Sequence, residues 1–263
     1  MLQLLKVEWM KVKNYRTFWV LSILYLVSVF GASYIFHLFY DETRRSDKGG
    51  MANAVIGNPF NFPDLWHTVS YTSSFLMLML GLLIIISITN EFSYKTHRQN
   101  VIDGWSRTQF IVVKMLLTVI ISLVATLAVI ITALIFGAME GSDFSMEKFE
   151  FMGYFFIQAL SYCSAALLFS MLFKRSGITI GVYFLYSTII ENMIAGLLNK
   201  YVDNVGRYLP LESSDNLIRF PFLKAIVAQM TTSYNTELLF TMSLLYLSLF
   251  FFISYRKFAT DDL

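Results

Sequence analysis

The chain is poor in charged residues and in cysteine. Only 14% of its 263 residues are charged and 56% are hydrophobic, whereas a typical soluble domain has about 25% charged residues. The uncharged residues form long runs, which indicates an integral membrane protein. Cys163 is the single cysteine and lies in an apolar run. An intrachain disulfide is therefore excluded, and the expected role of Cys163 is that of a small buried hydrophobe.

Motifs that would give the chain a chemistry of its own are also missing. The sequence has no G-x-x-x-x-G-K-[ST] loop for ATP phosphates, and no H-E-x-x-H, C-x-x-C or G-x-S-x-G. His37, His67 and His97 are scattered over separate segments, which argues against a metal site. The net charge of +2 is too small to indicate a nucleic-acid partner. We therefore expect a chain that is not an enzyme and that holds no metal or other cofactor itself.

Six apolar runs are long enough to cross a bilayer as helices, which takes about 20 residues each. They are apolar all round, which favours helices over the alternating strands of a barrel. The first run is too long for a signal peptide, and we expect it to remain as an anchor. The predicted fold is an all-α integral membrane protein, a single membrane domain over residues 1–263, with six transmembrane helices at about 18–40, 68–89, 110–137, 151–173, 177–198 and 238–255.

The polar segments around these runs differ in character. Residues 2–16 place Trp9 and Val12 on one helical face with lysines between, which predicts an amphipathic helix in the membrane interface. A frayed basic lead is the alternative. Residues 41–67 are predicted to form a loop. The apolar pieces 218–223 and 225–230 are too short to span, so they predict re-entrant or surface helices before the sixth span.

Lysine and arginine set the expected orientation. If the N-terminus is cytosolic, twelve of the twenty basic residues lie on the cytosolic side, although the outer segments are longer. Both termini are therefore predicted to face the cytosol.

The longest polar break on that side is the segment 90–114. Gly104 is a plausible helix stop, and Ser106 with Gln109 forms an S-x-x-Q capping box before the third apolar run. The pattern predicts a short surface helix over 96–103, placed so that pressure on it would move two spans. The alternative is an ordinary basic loop that only fixes topology.

The same segment carries a family resemblance. Its pattern E-F-x-x-x-T-x-R-Q-N-V-I-D-G-x-S-R, from Glu91 to Arg107, resembles the first cytoplasmic loop of ABC-2 type transporter permeases, particularly small bacterial ones. The N-terminal lead and the six-span plan agree with that family, but Lys95 stands where many members have glycine. The resemblance implies that this loop holds a coupling helix that docks on a separate ATP-binding subunit. The residues it assigns to this contact are Glu91, Thr96, Arg98, Gln99, Asn100, Val101, Ile102 and Arg107.

The resemblance further implies a function, an assembly and a location. The chain would be the permease subunit of an ATP-driven exporter in a bacterial cytoplasmic (inner) membrane, with ATP and Mg bound by the partner subunit. Two permease copies would pair as a homodimer, commonly through spans one and five. Gly177 and Gly181 form a G-x-x-x-G at the start of span five and are dimer-contact candidates. Packing within one chain is the alternative for these glycines.

Glu191 is the one acid deep in a predicted span, and Asn192 follows it. An ionisable residue in this position is a candidate for the transport pathway or for a gate. Spans four and five form a hairpin, which places Gln158 at the same depth as Glu191, and we predict that the two side chains hydrogen-bond to each other. A purely structural bond is one alternative. Two other functions remain open: a proton-coupled secondary transporter that uses Glu191, and a non-transporting membrane scaffold.

Overall fold

A computed structural model describes residues 2–46, 58–102, 104–202, 204–221 and 235–260. The elements that it shows confirm an all-α integral membrane protein, because five helices are long and apolar enough to cross a membrane, and one bent pair of helices makes a sixth candidate if the pair is a single span. In chain order they are the interface helix (Leu2–Lys13), span 1 (Arg16–Ser46), span 2a (Asp64–Ser74), span 2b (Met77–Ser93), the loop helix (Thr96–Ile102), span 3 (Arg107–Met139), span 4 (Glu150–Phe173), span 5 (Ser176–Tyr201) and span 6 (Thr236–Thr260).

The second span is not the continuous helix predicted over 68–89. Spans 2a and 2b meet at an angle of 52° around Phe75. No proline lies at this bend, but hydroxyl side chains crowd the turn before it, and the Ser74 hydroxyl donates to the Ser70 carbonyl at 2.9 Å. Hydroxyl groups that bond back to the preceding turn favour helix bending. Average hydropathy over a window cannot detect such a bend.

The polar segments at the opposite end from the termini also differ from the prediction. Residues 41–46 continue span 1 and span 2a already begins at Asp64, so the predicted loop over 41–67 is shorter than expected. Before span 6, the short helices lie earlier than predicted, at Val205–Tyr208 and Glu212–Asp215, and residues 218–221 are not helical. The predicted piece 225–230 lies outside the described residues.

Contacts between distant segments show which helix ends lie together. The Lys174 ammonium lies 5.7 Å from the Phe92 ring centre, and the Arg107 guanidinium donates to the Ala259 carbonyl at 3.3 Å. The turn between spans 4 and 5, the loop helix and the end of span 6 therefore share one end of the bundle with the interface helix. We call it the terminal end. At the opposite end, the Trp66 indole donates to the Ser145 carbonyl at 2.8 Å.

Span 4 lies at the centre of the bundle. In its most apolar stretch 78% of the residues are buried, against 17% in span 1 and 22% in span 6. It packs against spans 2b, 3 and 6, and small residues such as Ala159 and Ala165 allow a close approach. Spans 2b and 5 also touch closely, because a Cβ atom at Gly81 would overlap the Tyr183 ring. The peripheral spans leave their apolar side chains facing outward, as a lipid-exposed surface requires.

Candidate functional site

The loop helix and its caps form as the sequence predicts. The helix covers Thr96–Ile102, Gly104 has a positive φ of 98°, and Asp103 lies outside the described residues. The Gln109 backbone N–H donates to the Ser106 hydroxyl at 3.1 Å, and the Ser106 N–H donates to the Gln109 side-chain oxygen at 2.9 Å. Both bonds of the capping box are therefore made, and span 3 begins at a fixed residue.

Lys95 adopts a backbone conformation that suits glycine. Its φ is 55°, in the left-handed region, and its carbonyl accepts from the Arg98 N–H at 3.1 Å to close the first turn of the loop helix. This conformation costs an L-residue roughly 1–2 kcal/mol, which glycine avoids. The chain therefore departs from the common family sequence at Lys95, while its backbone takes a form that a glycine there would favour.

The loop helix has an inner and an outer face. His97 and Asn100 are buried, and His97 Nδ1 donates to the Glu91 carbonyl at 3.0 Å. Thr96 is half-buried beside the same carbonyl. Arg98, Gln99 and Ile102 point outward, and Ile102 is 77% exposed. The side chain of Val101 lies outside the described residues.

Two other residues assigned to the partner contact have roles within the chain. The Arg107 guanidinium bonds to the end of span 6. Glu91 is buried and belongs to a four-residue ion cluster with Glu8, Lys11 and Lys114. The exposed residues of the loop helix are thus Arg98, Gln99 and Ile102, while Glu91 and Arg107 hold the loop to the bundle.

In the ion cluster each carboxylate binds both lysines. Lys114 Nζ donates to Glu8 at 2.5 Å and to Glu91, and Lys11 Nζ donates to Glu8 at 2.9 Å and to Glu91 at 3.3 Å. The two positive charges balance the two negative ones. The cluster therefore joins the interface helix, the end of span 2b and the first turns of span 3 at the terminal end.

Burial and pairing act in opposite directions on these charges. Burial alone would raise the pKa of Glu8, but the ammonium groups of Lys114 and Lys11 outweigh it and hold the pKa below its ordinary value. Lys114 is fully buried, seven residues inside span 3. Its ammonium reaches an internal acid pair and is not exposed on the surface of the loop.

Sequence reasoning singled out neither Glu8 nor Lys114. Glu8 and Lys114 are 106 residues apart, so no local pattern connects them. A signal was nevertheless present, since Lys114 interrupts an apolar run and an ionisable residue in such a place needs a partner. A second signal was the spacing of Glu8 and Lys11, which are three positions apart on the interface helix and can form an ion pair.

A second polar cluster lies toward the opposite end, and it corrects the predicted pairing of Gln158 with Glu191. Gln158 accepts from the Ser74 hydroxyl at 2.8 Å and donates to Asp215 at 2.8 Å. Glu191 instead accepts from the backbone N–H groups of Leu211 and Glu212, at 2.5 and 3.1 Å. The two side chains therefore bond to the same segment, 204–221 between spans 5 and 6, but not to each other.

The backbone of span 5 changes just before Glu191. Tyr186–Ile190 form a π-helical turn, in which the Glu191 N–H bonds to the Tyr186 carbonyl five residues back. Such single turns rotate the following side chains and often occur at functional sites. Asn192 bonds to the carbonyls of Ser187 and Thr188 within the same irregular stretch, at 3.3 and 3.2 Å.

Asp215, which the sequence did not single out, connects this segment to the bundle. One carboxylate oxygen accepts from Gln158, and the other accepts from the Tyr162 hydroxyl at 2.9 Å. The chain of bonds from Ser74 through Gln158 to Asp215 links the bend of span 2 to span 4 and to the segment 204–221. A cleft of about 350 Å³ lies beside it, lined by Gln158, Asp215 and Asn192 among others.

The position of Asp215 makes its charge sensitive to pH. Burial raises its pKa to about 7, although the hydrogen bonds from Gln158 and Tyr162 oppose the rise, and the nearby acids Glu212 and Glu191 add to it. Because the folded chain binds this proton more tightly than the unfolded chain, the contribution of Asp215 to stability is fully present below about pH 4 and is lost as the pH rises through about 7.

We therefore expect the thermal stability of the purified protein to fall between pH 5 and 8 more steeply in the native chain than in Asp215→Asn, which imitates the protonated acid. Melting curves in detergent at each pH measure this difference. Asp143→Asn is the control: Asp143 is exposed, so the stability of this variant should depend on pH as that of the native chain does. Equal pH dependence in the native chain and Asp215→Asn would contradict the expectation.

The glycines of span 5 face away from the rest of the chain. A Cβ atom added at Gly177 or Gly181 would meet no atom within 4 Å, and both residues are exposed. Packing within the chain therefore does not explain this G-x-x-x-G, at least against the part of the chain that the structure describes. The dimer contact that the resemblance implies stays a prediction.

Comparison with known proteins agrees with this architecture. Residues 4–190, more than half of the chain, match the family described as ABC-2 family transporter protein. The match begins in the interface helix, includes the loop helix and all four residues of the ion cluster, and ends at the π-helical turn. No curated protein shows a significant match to the chain. This chain, a multi-pass helical bundle, therefore belongs to the ABC-2 transporter family, as a membrane permease component and not as the ATPase.

Proposed function

We propose that this chain is the permease subunit of an ATP-driven exporter in a bacterial cytoplasmic membrane. Its terminal end would face the cytosol, and an ATP-binding subunit, which carries the ATP and Mg, would dock on the loop helix. The observation that carries this proposal is the structure of that helix: it ends before Gly104, and it has a buried inner face and an outer face formed by Arg98, Gln99 and Ile102. Arginine is enriched in protein interfaces, and here it lies on the same face as a 77% exposed isoleucine.

The contacts behind the loop helix explain how a push on it would reach the spans. Glu91 lies in the last turn of span 2b and is a member of the ion cluster, while the Ser106 cap starts span 3. Through Lys114 and Glu8 the same cluster holds the interface helix. A displacement of the loop helix therefore moves spans 2b and 3 and the interface helix together, because leaving any one behind would separate buried charges.

At the opposite end, the segment 204–221 would act as the outer gate. Glu191 holds its backbone, and Gln158 holds its Asp215 side chain. Asn192 lines the cleft beside it, which supports a place in the pathway. Glu191 Oε1 accepts from two backbone N–H groups of this segment, which supports a role for Glu191 in holding the gate. A second copy of the chain would complete the pathway, with the faces of Gly177 and Gly181 in contact.

The test is co-purification with the ATP-binding subunit encoded beside it or supplied with it. Arg98→Glu should reduce the amount of bound ATP-binding subunit at least tenfold, because it reverses a charge in the contact without touching the bundle. Arg256→Glu is the matched control, since Arg256 is an exposed arginine at the same end but outside the loop helix. Arg107 is unsuitable, because its change would also break the bond to Ala259. Full retention of the ATP-binding subunit by Arg98→Glu would refute the proposed docking site, and so would its absence from the native complex.

A further inference from the structure

An apolar groove of about 450 Å³ lies near the terminal end, between the interface helix and spans 1, 2b and 3. Its lining is hydrocarbon and aromatic, apart from Glu8, Ser22 and the hydroxyl of Tyr25. The groove is separate from the cleft beside Asp215 and from the outer face of the loop helix. Its size falls within the range of sites that hold small molecules.

The groove has a closed floor and an open side. Tyr25, Leu80 and Ala125 form the floor and are at most 3% exposed. Val124 and Leu26 lie on opposite walls and are 55% and 46% exposed, on surfaces of membrane spans. The opening therefore faces the lipid phase. Water would find few hydrogen-bond partners in such a groove, whereas a hydrocarbon chain would restore the dispersion contacts that an empty groove lacks.

The mouth of the groove resembles a headgroup site. Trp9 and Trp19 meet edge to face at 6.2 Å, and the Trp19 indole donates to the Lys13 carbonyl at 3.1 Å. Tryptophan side chains prefer the headgroup level of a bilayer. Lys13 and Arg16 are both exposed next to this rim. A positive charge at the rim of an apolar groove complements an anionic phospholipid, with its chains below and its phosphate above.

We propose that a phospholipid of the leaflet at the terminal end binds here, with one acyl chain in the groove and its phosphate beside Lys13 and Arg16. Glu8 and Val12 line the groove, and Glu8 also binds Lys114. The interface helix therefore packs partly against the acyl chain. This inference depends on the membrane fold and not on the docking of an ATP-binding subunit.

Native mass spectrometry of the delipidated full-length protein tests the site, with phosphatidylglycerol or phosphatidylcholine added at equal concentration. The native chain should retain one phospholipid per chain and prefer phosphatidylglycerol severalfold. Val124→Trp and Leu26→Trp, which fill the groove from opposite walls, should each reduce the bound lipid about tenfold. Val27→Trp is the matched control, because Val27 is 64% exposed in span 1 but does not line the groove.

Replacing both Lys13 and Arg16 with alanine should abolish the preference for phosphatidylglycerol while one phospholipid still binds. Melting curves of each variant show that it is folded before its lipid content is compared, and the two groove-filling variants provide independent tests. Equal lipid retention by the native chain and a folded groove-filling variant would overturn the proposal. A retained molecule whose mass is not that of a phospholipid would also overturn it, since the groove would then hold another hydrophobic compound.

Discussion

Replacing Lys114 with methionine is expected to lower the free energy of unfolding by about 3–5 kcal/mol, because removing one partner of a buried ion pair leaves an uncompensated charge. In this chain Lys11 alone would then face two carboxylates, Glu8 and Glu91. The interface helix should separate from spans 2b and 3 before the rest of the bundle unfolds. Denaturant titration of the protein in mixed micelles measures the loss, and protease accessibility of the interface helix locates it.

Two controls separate this effect from the loss of a lysine in general. Lys148→Met breaks the pair with Asp64, in which both side chains are about one-third or more exposed, and should cost less than about 1 kcal/mol. Lys114→Met combined with Glu91→Gln restores charge balance and should recover a large part of the loss. If Lys114→Met were no worse than Lys148→Met, the cluster would not hold the terminal end together.

Replacing Glu191 with leucine is expected to reduce transport at least tenfold, whereas Glu191→Gln should keep most of it. Leucine leaves the N–H groups of Leu211 and Glu212 without their acceptor, and each buried group left unsatisfied costs about 1–3 kcal/mol. Glutamine retains a side-chain oxygen that can accept the same bonds. Transport assays in proteoliposomes with the ATP-binding subunit compare the two variants.

Hydrogen exchange measures whether the two backbone N–H groups lose their bond to residue 191. The amides of Leu211 and Glu212 should exchange much faster in Glu191→Leu than in the native chain, and only slightly faster in Glu191→Gln. A proton carrier would show the other pattern, because Glu191→Gln would then be as inactive as Glu191→Leu. Full transport by Glu191→Leu would exclude any role of this residue in the gate.

The loop between spans 2b and 3 could be predicted in detail because its structure depends on neighbours in the sequence. The Ser106–Gln109 capping box joins residues three positions apart, and Gly104 ends the helix through its own backbone freedom. The bend in span 2 could be predicted only in part. Its hydroxyl groups are visible in the sequence, but the angle depends on which neighbours pack against each half.

The two clusters at the ends of the bundle could not be predicted in the same way. Glu8 and Lys114 meet across 106 residues, and Gln158 meets Asp215 across 57. The depth argument for spans 4 and 5 placed Gln158 and Glu191 at the same level, yet a hydrogen bond also requires the right rotation of each helix. The π-helical turn before Glu191 changes that rotation, and no residue in Tyr186–Ile190 predicts such a turn.

By itself the sequence determined that this protein is a helical membrane protein with a short helix between its second and third apolar runs, because hydropathy and capping act over short distances along the chain. Only the tertiary structure decided that Glu91 and Lys114 face inward as one ion cluster, and that Glu191 and Asp215 hold the segment before span 6. The physical reason is the low dielectric of the bundle interior. A buried charge must have a partner there, but helix packing alone selects which one.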